Sequence, residues 1–260
     1  MGLIWRGDEI LSTEALDQRA LQAATGFAAE GLVPGDGVGI YLRNDYAFFE
    51  ASIGAAKVGA YPVAMNWHYT PSEAEYLLKD SGVKALVVHA DLLEGIRHVV
   101  PGGVKILVVP VPETIQRAYG LSDEACSVNE DDTDWNVWRD AFDAVPRDPA
   151  QMPSTIIYTS GTTGHPKGVR RPMATPEQLQ ISRRMLGISY GFDGYEGRGH
   201  EITTAIVGPI YHSAPNAHAS FCFREGASIV ITPRFDPEEL RSEEHTSELS
   251  HQIISYAVFC

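Results

Sequence analysis

Between Glu14 and Glu30 the apolar residues Leu16, Ala20, Ala24 and Phe27 recur at helical spacing, and Gly31 with Pro34-Gly35 supplies the stop. Val38-Gly-Ile-Tyr-Leu42 is a short apolar run of buried-strand type, followed by a helical stretch from Asp45 to Val58 that ends at Gly59. Tyr61 to Met65 is the next strand candidate. Thr70-Pro71-Ser72-Glu73 then opens a helix as a capping box: the Thr hydroxyl accepts an orphan N–H, Glu73 reaches back, and Pro71 has no N–H to leave unpaired. Gly82 closes that helix, and Lys84 to His89 and Lys105 to Val109 supply two further strands with an amphipathic segment between them. Strand and helix in repeated alternation predict an α/β domain with a largely parallel sheet.

From Pro110 to Pro153 the pattern changes. The stretch is acidic, with Glu130-Asp-Asp-Thr-Asp134 and scattered prolines around a short helix from Trp135 to Phe142, and is expected to be a surface connection between two sheet systems. Beyond it, Ser154 to Thr159 is β-rich and Pro176 to Tyr190 helical. Ile202 to Val207 and Ala227 to Ile231 read as strands, with Ser213 to Phe223 between them. No internal repeat is visible.

Composition narrows the functional classes. With 44% hydrophobic residues in 260, a large core can be buried. A formal charge of -14, with no basic run, argues against a nucleic-acid or anionic-membrane surface, so any anionic ligand must be held locally. Cys126, Cys222 and Cys260 have neither zinc-site spacing nor an even count, which points to a reducing, cytoplasmic setting. The opening residues lack a basic segment followed by an apolar one, and no run approaches the ~18 residues of a membrane span.

The chemistry concentrates in Tyr158-Thr-Ser-Gly-Thr-Thr-Gly-His-Pro-Lys-Gly-Val169, directly after a strand-like run. Gly161 and Gly164 let the backbone turn and approach a ligand. The hydroxyls of Thr159, Ser160, Thr162 and Thr163, together with exposed N–H groups, can cradle phosphate oxygens, and Lys167 adds a positive charge. The spacing is not that of a Walker A loop. Gly-Thr-Thr-Gly alone is better read as a turn beside a solvated lysine; the full twelve-residue string is far more specific.

That string resembles the phosphate-binding signature of the adenylate-forming superfamily of acyl- and aryl-CoA synthetases, luciferases and peptide-synthetase adenylation domains. Gly35 to Asn44, Gly59 to Met65-Asn66, Leu78 to Gly82 and Arg234 to Leu240 are similar to further blocks of that family. The resemblance implies the partial N-terminal domain of the adenylate-forming fold, with stacked, largely parallel sheets and flanking helices over residues 1–240. It also implies ATP, Mg²⁺ and CoA as reactants and cofactor, a carboxylic acid as substrate, and Thr159 to Gly164 with Lys167 around the β- and γ-phosphates.

The block Gly208-Pro-Ile-Tyr-His-Ser-Ala-Pro-Asn-Ala-His218 separates branches of the family. Peptide-synthetase domains typically carry Phe-Asp where this chain has Tyr211-His212, the Asp pairing with a substrate ammonium. A neutral imidazole beside an aromatic ring suits an acyl or aryl tunnel instead, and His212 resembles the family's gate or orienting residue, the candidate catalytic position. A core or helix-capping role is the alternative for His212, and the preferred one for His218. His165 occupies a variable loop position.

The sequence contains no Tyr-Gly-x-Thr-Glu segment for adenine and magnesium, no ribose-binding Thr-Gly-Asp, no hinge and no distal catalytic lysine. The expectation is therefore an acid-CoA ligase front portion, inactive by itself. A non-catalytic nucleotide-binding fragment and a peptide-synthetase domain are the alternatives. Residues 241–260, RSEEHTSELSHQIISYAVFC, resemble the conceptual translation of a short-read sequencing adapter, apart from one Gln missing between Leu249 and Ser250, and are expected to be non-native.

Overall fold

A computed structural model describes residues 1–147, 153–159, 167–170 and 174–234. In chain order the strands and helices are β1 (Leu3–Arg6), β2 (Glu9–Ser12), α1 (Thr13–Ala29), β3 (Gly37–Tyr41), α2 (Tyr46–Lys57), β4 (Tyr61–Ala64), α3 (Pro71–Asp80) and β5 (Val83–His89). There follow α4 (Ala90–Ile96), β6 (Lys105–Val109), α5 (Glu113–Tyr119), α6 (Asp123–Cys126), α7 (Trp135–Asp140), β7 (Ile156–Thr159) and β8 (Lys167–Gly168). The last are α8 (Pro176–Ser189), β9 (Thr203–Ile206), α9 (Ser213–Arg224) and β10 (Ser228–Ile231). They fall into two compact units, Leu16–Met173 and Met1–Ala15 with Ala174–Cys260.

In the Leu16–Met173 unit six strands lie in the order β6-β5-β3-β4-β7-β8. All pairings are parallel except the antiparallel β7–β8 edge. Parallel strands need crossovers, and the amphipathic helices supply them. Ala74, Leu77 and Leu78 of α3, with Leu93 and Ile96 beyond β5, pack with Tyr41, Val63, Met65, Leu86 and Val88 into one buried cluster. Val38 and Ile40 point to the other face, where α1 and α2 approach so closely that a Cβ on Gly54 would stand 3.0 Å from the Ala20 carbonyl oxygen. The capping box at Thr70 forms as expected, Thr70 Oγ1 accepting from the Glu73 N–H while Glu73 accepts from the Thr70 N–H. Gly82, at φ +66, lets the chain turn straight from α3 into β5.

The acidic stretch is more than the expected surface connection. Glu130 and Asp131 are exposed, but Trp135 is fully buried and Trp138 nearly so, both against Phe27. Glu50, itself buried, accepts from Trp135 Nε1 at 2.9 Å and from Arg139 Nη1 at 2.6 Å, fixing α7 to α2. Thr133 accepts from the Val108 N–H at 2.8 Å, closing the β6 edge. Composition registers the charged exposed positions, whereas the tryptophans alternate with them and carry the packing.

The second unit holds a sheet in the order β2-β1-β10-β9. β1 runs parallel to β10 and β10 parallel to β9, while β1 and β2 form an antiparallel hairpin. Neither β1 nor β2 is apparent from the sequence pattern, because each has four residues and β1 is completed by a strand more than two hundred positions away. α9 buries Pro215, His218, Ala219, Phe221 and Cys222. α8 starts in a second capping box, Thr175 with Gln178, and leaves Leu179, Ile181, Met185 and Ile188 exposed. Among the described residues no helix is long and apolar enough to cross a membrane.

Candidate functional site

The glycine- and hydroxyl-rich motif sits at the edge of the first unit's sheet. β7 is parallel to β4, with Val63 opposite Ile156, so Thr159 stands at the carboxyl end of a parallel strand, where open α/β sheets bind ligands. β8 returns antiparallel, Thr159 opposite Lys167 and Tyr158 opposite Gly168. The stem thus places an exposed Lys167 directly across from the strand end that launches the loop. Ser160, Gly161, Thr162, Thr163 and Gly164 lie outside the described residues, as does the side chain of Thr159.

The stem is tied to the end of α3. The Tyr158 hydroxyl donates to Asp80 Oδ2 at 2.6 Å, and burial, reinforced by that carboxylate, raises the phenol's pKa. Two residues beyond β8, Arg170 Nη2 donates to the Ser81 carbonyl oxygen at 2.7 Å, with its guanidinium 5.4 Å from the centre of the Tyr61 ring. Gly168 lies over the Tyr158 ring so closely that an added Cβ would stand 2.5 Å from Cζ. Sequence reasoning assigned none of these anchors a role. The available signal was that Tyr158 heads the motif string and that Asp80-Ser-Gly82 closes another family-like block.

His212 belongs to the other unit. It follows β9, again at the carboxyl end of a strand in a parallel pair, and takes the N-cap position of α9 with extended backbone, φ −81 and ψ 152. Its imidazole makes no capping hydrogen bond, is exposed, and lies 4.4 Å from the Tyr211 ring. Partial desolvation lowers its pKa, which favours the neutral ring. His218, one turn and a half further on, is a core histidine: Nε2 is 2.9 Å from Thr204 Oγ1, the Tyr190 ring meets it edge-on at 4.6 Å, and burial pulls its pKa down to about 4. Its neighbour Cys222 is pushed up to about 12 by the same burial, so this Cys-His pair is not an activated nucleophile.

A second buried polar group lies at the carboxyl ends of β3 and β5. His89 Nδ1 accepts from the Arg43 N–H at 3.2 Å, which leaves Nε2 to donate to Asp45 Oδ2 at 3.0 Å. Asp45 in turn caps α2, and Arg43 pairs twice with Asp91, at 2.9 and 2.8 Å, beside the Trp67 and Tyr119 rings. Among the described residues no group of three or more His, Cys, Asp or Glu side chains converges on a metal position.

A family model described as AMP-binding enzyme matches residues 3–251. The medium/long-chain-fatty-acid-CoA/3-oxocholest-4-en-26-oate-CoA ligase of Mycobacterium marinum is 26% identical over 250 residues, covering 90% of this chain and 44% of that protein. The fatty acid-acyl-carrier-protein ligase ScoC of Streptomyces coeruleorubidus is 30% identical over 226 residues, covering 86% of this chain and 39% of that one. The crystal structure of a long-chain-fatty-acid-CoA ligase, FadD1, from Archaeoglobus fulgidus superposes with a TM-score of 0.71 at 23% identity over 94% of this chain and 46% of its own. The chain spans under half the length of these curated relatives.

Proposed function

The chain belongs to the AMP-binding enzyme family, and from that premise we propose that it carries the triphosphate-holding portion of an ATP-dependent acid-CoA ligase. The observation that supports this most is the β7–β8 stem, which sets Lys167 across from Thr159 at the carboxyl end of a parallel strand. A carboxylate resists attack by a thiol because its oxygen is a poor leaving group. In the proposed reaction a carboxylate oxygen attacks the α-phosphorus of ATP, pyrophosphate leaves, and the CoA thiol then displaces AMP from the acyl carbon. Negative charge accumulates on the departing pyrophosphate. N–H and hydroxyl donors from Thr159 to Gly164, with the Lys167 ammonium, are suited to hold the β- and γ-phosphates there.

His212 is proposed to border the acyl group. Its depressed pKa favours the uncharged ring, which suits an acyl or aryl chain and offers a substrate ammonium no counter-charge. Mg²⁺ is the expected companion of ATP. The described residues present no cluster of three or more His, Cys, Asp or Glu side chains that would hold it. The ScoC likeness favours a second reading of the final step, with the thiol of an acyl-carrier protein as acceptor.

Calorimetric titration of the 260-residue chain and of Lys167→Ala with Mg-ATP tests the reading, alongside pyrophosphate release with fatty and aromatic acids. The expected result is ATP binding that weakens at least tenfold in Lys167→Ala, the ~1.4 kcal/mol scale of one charge-assisted phosphate contact. No pyrophosphate is expected above background, because the adenine, ribose and distal-lysine segments do not occur in these residues. Equal ATP affinity in the two proteins would remove Lys167 from the site.

A further inference from the structure

Two hydrogen bonds, one from β7 and one from the segment that follows β8, end on consecutive residues of one helix terminus. Tyr158 on β7 reaches Asp80, the last residue of α3, and Arg170, two residues beyond β8, reaches the carbonyl of Ser81, the C-cap of the same helix. The two strands contribute only two residue pairs, Tyr158 with Gly168 and Thr159 with Lys167, and β8 is an edge strand. So short a ladder is a weak constraint on a lysine at its far end. The α3 terminus is a firm anchor. Its first turn is fixed by the capping box, Leu77 and Leu78 are buried in the core cluster, and Ser81 is itself held by N–H and hydroxyl bonds to the Leu77 carbonyl at 2.9 and 2.6 Å.

The electrostatics point the same way. Carbonyl groups at a helix carboxyl end carry the negative pole of the macrodipole, so a guanidinium there is favoured where an ammonium aimed elsewhere is not consumed. Arg170 occupies that pole and Lys167 remains exposed. The Tyr61 ring beside the Arg170 guanidinium gives it a second contact.

From these contacts we infer that the end of α3 clamps both arms of the stem, and that Arg170 is a positioning residue that sets where Lys167 stands against a bound triphosphate. The inference rests on the nucleotide-loop reading above. It assigns Arg170 no contact with nucleotide. Its effect passes through Lys167, so it acts on ligands with β- and γ-phosphates and spares AMP.

The test is calorimetric titration of the 260-residue chain and its variants with Mg-ATP, inorganic tripolyphosphate and AMP, with melting temperatures measured in parallel. Arg170→Met is expected to weaken ATP and tripolyphosphate about 3- to 10-fold, the range that one net hydrogen bond spans, with AMP binding unchanged and the melting temperature lowered by no more than about 4 °C. Arg170→Lys, which keeps a donor for the Ser81 carbonyl, restores most of the loss, and Tyr158→Phe reproduces it from the other arm. If Lys167→Ala weakens ATP but Arg170→Met does not, the clamp is overturned while the loop reading stands. Equal losses for ATP and AMP with a larger drop in melting temperature also overturn it, in favour of a purely structural contact. If the unmodified chain binds no ATP, or Lys167→Ala binds it equally well, the loop reading fails and takes the clamp with it.

Discussion

Gly168→Ala is the most direct way to ask whether the geometry of the stem matters. Gly168 has ordinary backbone angles, so the substitution adds no conformational strain, and its whole cost is steric. The new methyl would lie 2.5 Å from Cζ and 2.7 Å from Cε2 of Tyr158, about 1 Å inside the separation at which carbon atoms attract. The ring cannot swing aside freely, because its hydroxyl is bonded to Asp80 and its body is buried. Either that bond breaks or β8 moves outward with Lys167. Overpacking of this kind costs about 1–3 kcal/mol. The assay is a double-mutant cycle of Gly168→Ala and Tyr158→Ala, read by urea unfolding and ATP titration. The single glycine change is expected to cost stability in that range and to weaken ATP binding, whereas in the Tyr158→Ala background, with the ring gone, it should be close to neutral. A cost for Gly168→Ala that is the same with and without the ring would refute the steric argument.

Two further outcomes follow from buried groups away from the stem. Glu50→Ala leaves the buried Trp135 indole N–H without its acceptor and Arg139 with only Asp140 and Asn136, so the expected cost lies toward the lower end of the about 3–5 kcal/mol for breaking a buried pair; a shift of the urea midpoint equivalent to less than ~1 kcal/mol would contradict the role given to Glu50. His218 has a folded-state pKa of about 4 against 6.5 when free, so the unfolded chain binds the proton more readily between those values. Its contribution, on the order of 3 kcal/mol, is complete above pH 6.5 and is lost progressively as the pH falls toward 4. Urea midpoints measured across that window should fall more steeply for the unmodified chain than for His218→Leu, and parallel profiles would count against it.

Local signals in the sequence translated well. The Thr70 to Glu73 box, the glycine stops and the strand runs at Val38 and Lys84 became the helices and parallel strands they imply, because capping and periodicity act within one or two turns. The β-rich run before the motif became β7, while Lys167, read only as a positive charge, returns on a strand beside it. What the pattern did not show depends on partners far along the chain. Trp135 and Arg139 look like surface residues until Glu50, on another helix, is known to meet them. Arg170 looks like an ordinary exposed cation after the motif, and acquires a role only through Ser81. His212 was legible as a type of residue at a family position, while its N-cap backbone without a capping side-chain bond required coordinates.

The parallel pairing of β1 with β10 imposes an order of events during synthesis. Leu3 and Ser228, joined across that pairing by a 3.2 Å hydrogen bond, are 225 positions apart. At the usual ~5–20 residues per second of translation, roughly 10–45 s separate their emergence. All of Leu16–Met173 is made in that interval, so its sheet has every strand it needs while β1 still lacks its neighbour. Until then the β1–β2 hairpin presents a bare strand edge that exposes Leu3 and Ile10 and carries the charged Arg6 and Glu9, which discourage misplaced pairing. Residues of β1 and β2, made before the whole of Leu16–Met173, are thus among the last to reach their place, and this edge is where a nascent chain is open to capture by a chaperone or by another copy of itself.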